Sequence, residues 1–164
     1  MGGSSRSASV RNALTAITDD ETPVAGGGEP QEILTVVVVH DSARPLVTAE
    51  LFDRCVAAVP AGGGVVAAAP MAETVKRAGA DLIVRETLDR SDLWLIQTPQ
   101  AFDLGVLRAA LDVGDEQLLA ATDDASLLEG LGVPVQILPW SKPNIKVTTP
   151  ADLRIAELLL TSAR

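Results

Sequence analysis

"VVVVHDSARPLV", residues 36–47, decides the fold class of this chain. Its four consecutive valines are apolar and β-branched, and a short run of this kind is typical of a strand buried on both faces of a parallel sheet. The run ends at His40, Asp41 and Arg44. We therefore predict a central strand over 33–39 that places these three polar side chains at its carboxyl end.

The segments that follow extend this strand into an α/β pattern. Thr48 is a natural N-cap for a helix that ends near Pro60, and "VVAAAP" at 65–70 is predicted to be the next buried strand. Strand, helix and strand in this order form a βαβ unit with a right-handed crossover.

The rest of the chain continues the alternation of helices and strands. Predicted loops are the Gly- and Pro-rich stretch 18–32 and "QTPQAF" at 97–102, which contains Pro99. The remaining predicted elements are helices over 6–17, 102–113, 123–131 and from Pro150, with Thr149 as the N-cap of the last one, a strand near "PVQIL", and two strands in "ETVKRA" and "LIVRETL" that join at a turn over 79–81.

Composition limits the possible classes of protein. A chain of 164 residues with 47% hydrophobic content can form one globular core, so we expect a single domain over 1–164. No apolar stretch reaches the roughly 18 to 20 residues that a membrane span needs, and no secretory signal stands at the front. Cys55 is the sole cysteine, which excludes an internal disulfide. We expect a soluble, cytoplasmic protein with no membrane partner.

The charge balance excludes a nucleic-acid partner. The formal net charge of -9 comes from 22 acidic and 13 basic residues, whereas a surface that binds duplexes nonspecifically needs a basic footprint. Any phosphate must therefore be bound by a few local cations.

Asp41 and Arg44 are the first candidates for such a site. In open α/β sheets ligands bind beyond the carboxyl ends of the strands, where both residues are predicted to lie. Asp41 can hold a divalent cation through oxygen, and Arg44 can neutralise a phosphate. The alternative is a surface ion pair that caps the strand. For His40, a packed or hydrogen-bonded ring is the commoner role for a lone histidine.

Two further stretches have the residue types of a phosphate site. "PNIKVTTPADL" at 143–153 places Lys146 just ahead of a helix N-terminus, where a cation could meet a phosphoryl group; an exposed strand lysine is the alternative. "TDDAS" at 122–126 places Thr122 and two carboxylates at a helix start, and ordinary capping explains this pattern fully.

Taken together, these pieces resemble the 2-C-methyl-D-erythritol 4-phosphate cytidylyltransferase family. The resemblance implies an α/β fold with a Rossmann-like, mostly parallel sheet flanked by helices, and a projecting β-arm at about 71–94. It also implies Mg²⁺-dependent transfer of CMP from CTP to 2-C-methyl-D-erythritol 4-phosphate, with release of pyrophosphate. The matching motifs run in order through the chain as "GGSSRSASV", "VVHDSARPLV", "ETVKRA", "ETLDRSDLW", "QTPQAF", "TDDASLLE" and "NIKVTTPADL".

The same resemblance implies roles for individual residues. Asp41 resembles the family's metal-binding aspartate, Arg44 supports it, and Lys146 resembles the lysine that stabilises charge on the α-phosphate. The β-arm implies a homodimer, since in the family it crosses to the partner subunit. The remaining assignments are Gly3, Arg6, Ser9 and Ser42 for the nucleotide, and Thr74, Lys76, Arg90, Thr98 and Thr122 for the sugar phosphate.

The sequence departs from the family pattern at its front. The family opens with a strand and a glycine-rich loop of the form A-A-G-x-G-x-R, followed by a P-K-Q segment, and nothing here matches them. We therefore expect the first strands of the family fold to be missing, one edge of "TVVVV" to be unpaired, and pyrophosphate release by this chain to be small until such a segment is restored. Two alternatives stay open: a non-catalytic dimerising or sugar-phosphate-binding remnant, and a cytidylyltransferase acting on ribitol 5-phosphate.

Overall fold

A computed structural model of the chain describes residues 2–16 and 34–162. The predicted loop at 18–32 lies outside these ranges. The helices are α1 (Arg6–Leu14), α2 (Ala49–Ala58), α3 (Leu104–Leu111), α4 (Asp115–Ala120), α5 (Asp124–Gly130) and α6 (Pro150–Ser162). The strands are β1 (Val36–Val39), β2 (Gly64–Pro70), β3 (Lys76–Ala78), β4 (Val84–Thr87), β5 (Trp94–Asp103) and β6 (Val135–Pro139).

Four strands form the main sheet, in the order β1-β5-β2-β6. β5 is antiparallel to both β1 and β2, whereas β2 and β6 are parallel. Three of the four strands therefore run in one direction, and the predicted α/β class is confirmed. β3 and β4 form a separate antiparallel hairpin, which is the predicted β-arm.

Among the described residues β1 is an edge strand of this sheet, so its predicted central position is wrong, whereas the expected unpaired edge of "TVVVV" is confirmed. β5 lies between β1 and β2, and β1 pairs along one side from Val36↔Asp103 to Val39↔Gln100. Its four valines are consequently half-buried rather than fully buried. The βαβ unit through α2 therefore crosses over one intervening antiparallel strand.

The stretch "QTPQAF" is a strand, so its prediction as a loop is also wrong. It forms the second half of β5, and Thr98 to Phe102 are buried there. Proline lacks the N–H that a strand ladder needs. The register between β2 and β5 shifts between Val66 and Ala68, opposite Pro99, so no ladder hydrogen bond is needed there. A bulge at this point tolerates the proline and bends the strand beside the ends of its neighbours.

Helices cover both faces of the sheet. Successive strand residues point to opposite sides, so both faces carry apolar side chains that the helices bury. Val66 and Phe102 pack with α1, α3, α4 and α5 on one face. Val65, Ala67 and Ala101 pack with α2 on the other face. The fold therefore has three layers.

Helix boundaries follow from their caps. Thr48 accepts the N–H of Leu51 at the start of α2, as predicted. At the start of α6, Thr149 accepts the N–H of Asp152, whose carboxylate in turn accepts the N–H of Thr149. The short helix α4 was not predicted.

Within residues 2–16 and 34–162, no helix has both the length and the apolar character to cross a bilayer.

Gly64 is required where β2 packs beneath the helices. A Cβ at this position would lie 2.5 Å from Cδ1 of the buried Phe102 ring. We predict that Gly64→Ala lowers the free energy of unfolding by about 1–3 kcal/mol, because the crowded ring must move. Urea denaturation measures the change. Gly130→Ala is the matched control, since a Cβ there meets nothing within 4 Å. Equal stabilities of the two variants would contradict this account of the packing.

Candidate functional site

Asp41 is the centre of a cluster of charges at the end of β1. Lys146 Nζ lies 3.1 Å from its carboxylate, Arg6 Nε lies 3.5 Å away, and Arg44 Nε lies 3.6 Å away. These cations come from three separate parts of the chain. The Asp41–Arg44 ion pair of the alternative interpretation is therefore present, but it is one of three ion pairs around the same carboxylate.

The cations keep Asp41 ionised. Partial burial raises the pKa of its carboxyl group, but the Lys146 hydrogen bond and the positive charges of Lys146, Arg6 and Arg44 outweigh this effect, so its pKa lies below the ordinary value. Asp41 therefore carries a full negative charge at neutral pH and can exchange its cationic partners for others.

Arg6 connects Asp41 to a second carboxylate. It projects from the first position of α1, and its Nη1 donates to Asp124 Oδ2 at 2.5 Å. Asp124 is fully buried at the start of α5, and burial raises its pKa while the adjacent Arg6 opposes that rise. The buried carboxylate thus fixes the guanidinium in the orientation that faces Asp41.

A loop at 143–147 places Lys146. Asn144 is buried at its start, and its Nδ2 donates to the Thr98 carbonyl (2.8 Å) and to Gln97 Oε1 (2.9 Å). The Asn144 carbonyl accepts Arg44 Nη1 at 2.8 Å, and the Val147 N–H donates to the Ala43 carbonyl at 2.7 Å. The loop and the turn after β1 are therefore bonded to each other and to β5.

His40 and Thr98 lie directly behind Asp41. Thr98 Oγ1 accepts the Asp41 N–H at 3.0 Å and lies 3.0 Å from His40 Nδ1, while His40 Nε2 lies 3.2 Å from the Arg44 carbonyl. The ring packs edge-on against Phe52, with centroids 5.3 Å apart. The prediction of a packed, hydrogen-bonded histidine is confirmed.

The charges open onto a cavity of about 280 Å³. Nine of its ten lining residues are polar or charged, and three of them are cations, so the cavity suits a phosphorylated ligand. The lining residues are Arg6, Asp41, Arg44, Ile96, Gln97, Thr98, Gln100, Thr122, Asp123 and Lys146.

Several other candidate residues lie away from this cavity. Thr74, Lys76 and Arg90 lie on or beside the β-arm, where Lys76 Nζ donates to Thr87 and Arg90 Nη1 donates to the Ala72 carbonyl. At the start of α1, the Gly3 N–H donates to Ser9 Oγ. Ser42 is exposed next to Asp41. The structure therefore groups Asp41, Arg44, Lys146, Arg6, Thr98 and Thr122 at the cavity, and the other candidates do not line it.

The residues present fit a Mg²⁺ ion that is shared with substrate phosphates. Across the part of the chain that the structure describes, no three His, Cys, Asp or Glu side chains are close enough to form a metal site of their own. Mg²⁺ is commonly held by one or two carboxylates together with phosphate oxygens and water, and Asp41 can supply such a carboxylate.

Two buried polar residues of the site, Asn144 and Asp124, were not predicted from the sequence. Asp124 shares a buried helix face with Ala125 and Leu128, and this helical spacing was the available signal. For Asn144 the sequence holds no comparable signal, because its partners are Gln97 and Thr98, more than forty residues away.

Comparison with known proteins finds a matching family for almost the whole chain. A family profile described as "IspD: 2-C-methyl-D-erythritol 4-phosphate cytidylyltransferase" matches residues 1–162. A curated protein of that name from Synechococcus elongatus is 46% identical over 160 residues, which cover 98% of this chain and 63% of the relative. A relative of the same name from a Synechocystis strain is 41% identical over 98% of this chain and 64% of its own length. The chain therefore spans somewhat less than two thirds of these relatives.

Solved structures show the same fold. The crystal structure of 2-C-methyl-D-erythritol 4-phosphate cytidylyltransferase from Thermus thermophilus superposes with a TM-score of 0.78 at 32% identity, over 98% of this chain and 71% of that one. A crystal structure of Francisella tularensis 2-C-methyl-D-erythritol 4-phosphate cytidylyltransferase gives a TM-score of 0.76 at 34% identity, over 96% of this chain and 69% of that one.

The buried amide of Asn144 generates a stability prediction. Asn144→Ala removes the donor to the Thr98 carbonyl, so we expect the free energy of unfolding to fall by about 1–3 kcal/mol. Chemical denaturation measures the change. The matched control is Asn12→Ala on the exposed face of α1, which should change the free energy of unfolding by no more than about 0.5 kcal/mol. If both variants were equally stable, the amide would not connect the loop to β5.

Proposed function

The chain belongs to the 2-C-methyl-D-erythritol 4-phosphate cytidylyltransferase family, and from this membership we propose that it transfers CMP from CTP to 2-C-methyl-D-erythritol 4-phosphate and releases pyrophosphate. The observation that carries the proposal is the convergence of Lys146, Arg6 and Arg44 on Asp41 beside a polar cavity. The chain spans 63% of the length of the Synechococcus relative. The proposed activity is therefore that of a protein with the full length of that relative.

The reaction needs charge neutralisation more than a protein nucleophile. Both substrates are anions, and a phosphate oxygen of the sugar substrate attacks the α-phosphorus of CTP while pyrophosphate leaves. Alignment of the two anions and stabilisation of the charge that grows on the α-phosphate can supply the catalysis. The cations around Asp41 are suited to this task, since they are already gathered at one point before the substrates arrive.

Lys146 is the proposed catalytic cation. Its side chain is 47% exposed and contacts Asp41 at 3.1 Å, so the ammonium group can reach solvent and move from the carboxylate onto a phosphate oxygen. Arg44 is more enclosed and is bonded to the Asn144 carbonyl, so we assign it to holding the shape of the site. Asp41 is the proposed metal ligand, and bound Mg²⁺ would supply Lewis-acid neutralisation of the phosphates.

The surrounding candidates are proposed to bind the two substrates. Gly3, Arg6, Ser9 and Ser42 would contact the nucleotide, and a Cβ at Gly3 would meet the Ala8 backbone at 2.6 Å, so this segment is closely packed against α1. Thr74, Lys76, Arg90, Thr98 and Thr122 would contact the sugar phosphate, with the first three supplied by the β-arm.

The arm is proposed to form a homodimer. Its turn exposes three consecutive apolar side chains, Leu82 (87% exposed), Ile83 (57%) and Val84 (55%), which is a surface that a second copy could cover. We also propose a cytoplasmic location, because the sole cysteine, Cys55, is a free thiol and the sequence offers no internal disulfide.

The role of Lys146 generates the central activity prediction. With the chain joined to an upstream glycine-rich segment of the family, we expect CTP- and methylerythritol-phosphate-dependent release of pyrophosphate. Lys146→Ala should then lower kcat by roughly 10²- to 10³-fold, the usual effect of removing one group that stabilises transition-state charge. A coupled pyrophosphate assay measures both rates.

Lys142→Ala is the matched control for that prediction. Lys142 pairs with Glu50 and lies over the Trp140 ring, away from the cavity, so its loss should leave kcat nearly unchanged. Equal rates for the two lysine variants would contradict the role of Lys146. Faster release with ribitol 5-phosphate than with methylerythritol phosphate would contradict the proposed substrate.

The arm generates a prediction about assembly. Ile83→Asp should convert a dimer into a monomer, because a carboxylate cannot be buried unpaired in an apolar contact. Sedimentation velocity measures the distribution. Leu119→Asp, at a 60% exposed position on α4, is the control and should remain dimeric. A monomeric parent protein, or an Ile83→Asp variant that stays dimeric, would contradict the arm as the dimer contact.

A further inference from the structure

His40 is the one imidazole of the chain, and the proposed reaction gives it no part. Its ring nitrogens nevertheless contact two different elements. Nδ1 lies 3.0 Å from Thr98 Oγ1 on β5, and Nε2 lies 3.2 Å from the Arg44 carbonyl in the turn after β1. The ring therefore bridges the strand behind the site to the turn that carries Asp41 and Arg44.

The partners of the ring determine which nitrogen carries the proton. The Arg44 carbonyl can only accept a hydrogen bond, so Nε2 must be the donor. The Asp41 N–H can only donate, so it uses one lone pair of Thr98 Oγ1 at 3.0 Å. A neutral ring protonated at Nε2 has an unprotonated Nδ1, and the Thr98 hydroxyl group can donate its proton to that nitrogen. For a neutral imidazole, the Nε2–H tautomer is therefore the one that satisfies all of these groups.

This chain of hydrogen bonds begins and ends on the turn that forms the site. It runs from the Asp41 N–H through Thr98 and His40 to the Arg44 carbonyl, and the Arg44 N–H donates to the Asp41 carbonyl at 3.0 Å, which closes the circuit. Thr98 is buried, and Phe52 packs against the ring edge. The two backbone positions that carry the carboxylate and the guanidinium are thus fixed relative to β5.

We propose that His40 is a positioning residue, which in its Nε2–H form bonds the 40–44 turn to Thr98 and so holds Asp41 and Arg44 in the geometry that gathers phosphate. The proposal rests on the proposed function for its catalytic consequence, whereas its structural content does not depend on turnover. It also gives Thr98 a role behind the site, through its hydroxyl group.

The first test reads the tautomer without any activity. Protein labelled with ¹⁵N-histidine gives one imidazole spin system, which we would record in mildly alkaline buffer. We expect long-range ¹H–¹⁵N spectra to show Nε2 protonated and Nδ1 unprotonated. Thr98→Val should remove this preference and Thr98→Ser should retain it. A ring protonated mainly at Nδ1, or one unaffected by Thr98→Val, would overturn the proposal.

The second test separates hydrogen bonding from packing. In the upstream-extended protein, His40→Phe keeps a ring against Phe52 but loses both hydrogen bonds, so we expect kcat to fall roughly 10- to 100-fold through misplacement of the site. His40→Gln keeps a donor near the Nε2 position and should recover most of that loss. Near-normal kcat for folded His40→Phe would overturn the proposal. If the parent protein had no transferase activity, the proposed function would be wrong. The NMR measurement of the tautomer would still test whether His40 bonds Thr98 to the 40–44 turn.

Discussion

One ionised carboxylate organises the site of this protein. Asp41 lies within 3.6 Å of the charged groups of Lys146, Arg6 and Arg44, which come from a loop, a helix and a turn that are distant in sequence. Without that negative charge the three cations would repel one another. Asp41 therefore takes the place that an anionic ligand could occupy, because it keeps three cations assembled in a chain whose overall charge is -9.

Hydrogen bonds between uncharged groups hold the segments that carry the charged residues in place. The bulge in β5 lies at Gln97–Pro99, and its polar groups face the ends of β1 and of the 143–147 loop. Asn144 bonds to β5 from the loop, and Thr98 bonds to Asp41 and His40 from the strand. A strand irregularity that would weaken an ordinary sheet is thus the part of the fold that positions the functional groups.

The predictable part of the molecule was the part governed by local rules. The valine run, the caps at Thr48 and Thr149, and the position of Asp41 and Arg44 beyond a strand end all follow from nearby sequence. The insertion of β5 between β1 and β2 does not, because Pro99 is typical of a loop unless a bulge tolerates it in a strand. The ion pair between Arg6 and the buried Asp124 joins residues 118 positions apart, so only the folded chain shows why Asp124 is buried.

The central claim is that Asp41 holds three cations in place for phosphate and then releases Lys146. A crystal structure of the chain soaked with Mg²⁺ and inorganic pyrophosphate tests this claim most directly. The account predicts pyrophosphate in the cavity beside Asp41, with Lys146 Nζ moved from the carboxylate onto a phosphate oxygen and Asp41 facing the metal. Pyrophosphate bound elsewhere, with all three ion pairs of Asp41 intact, would contradict it.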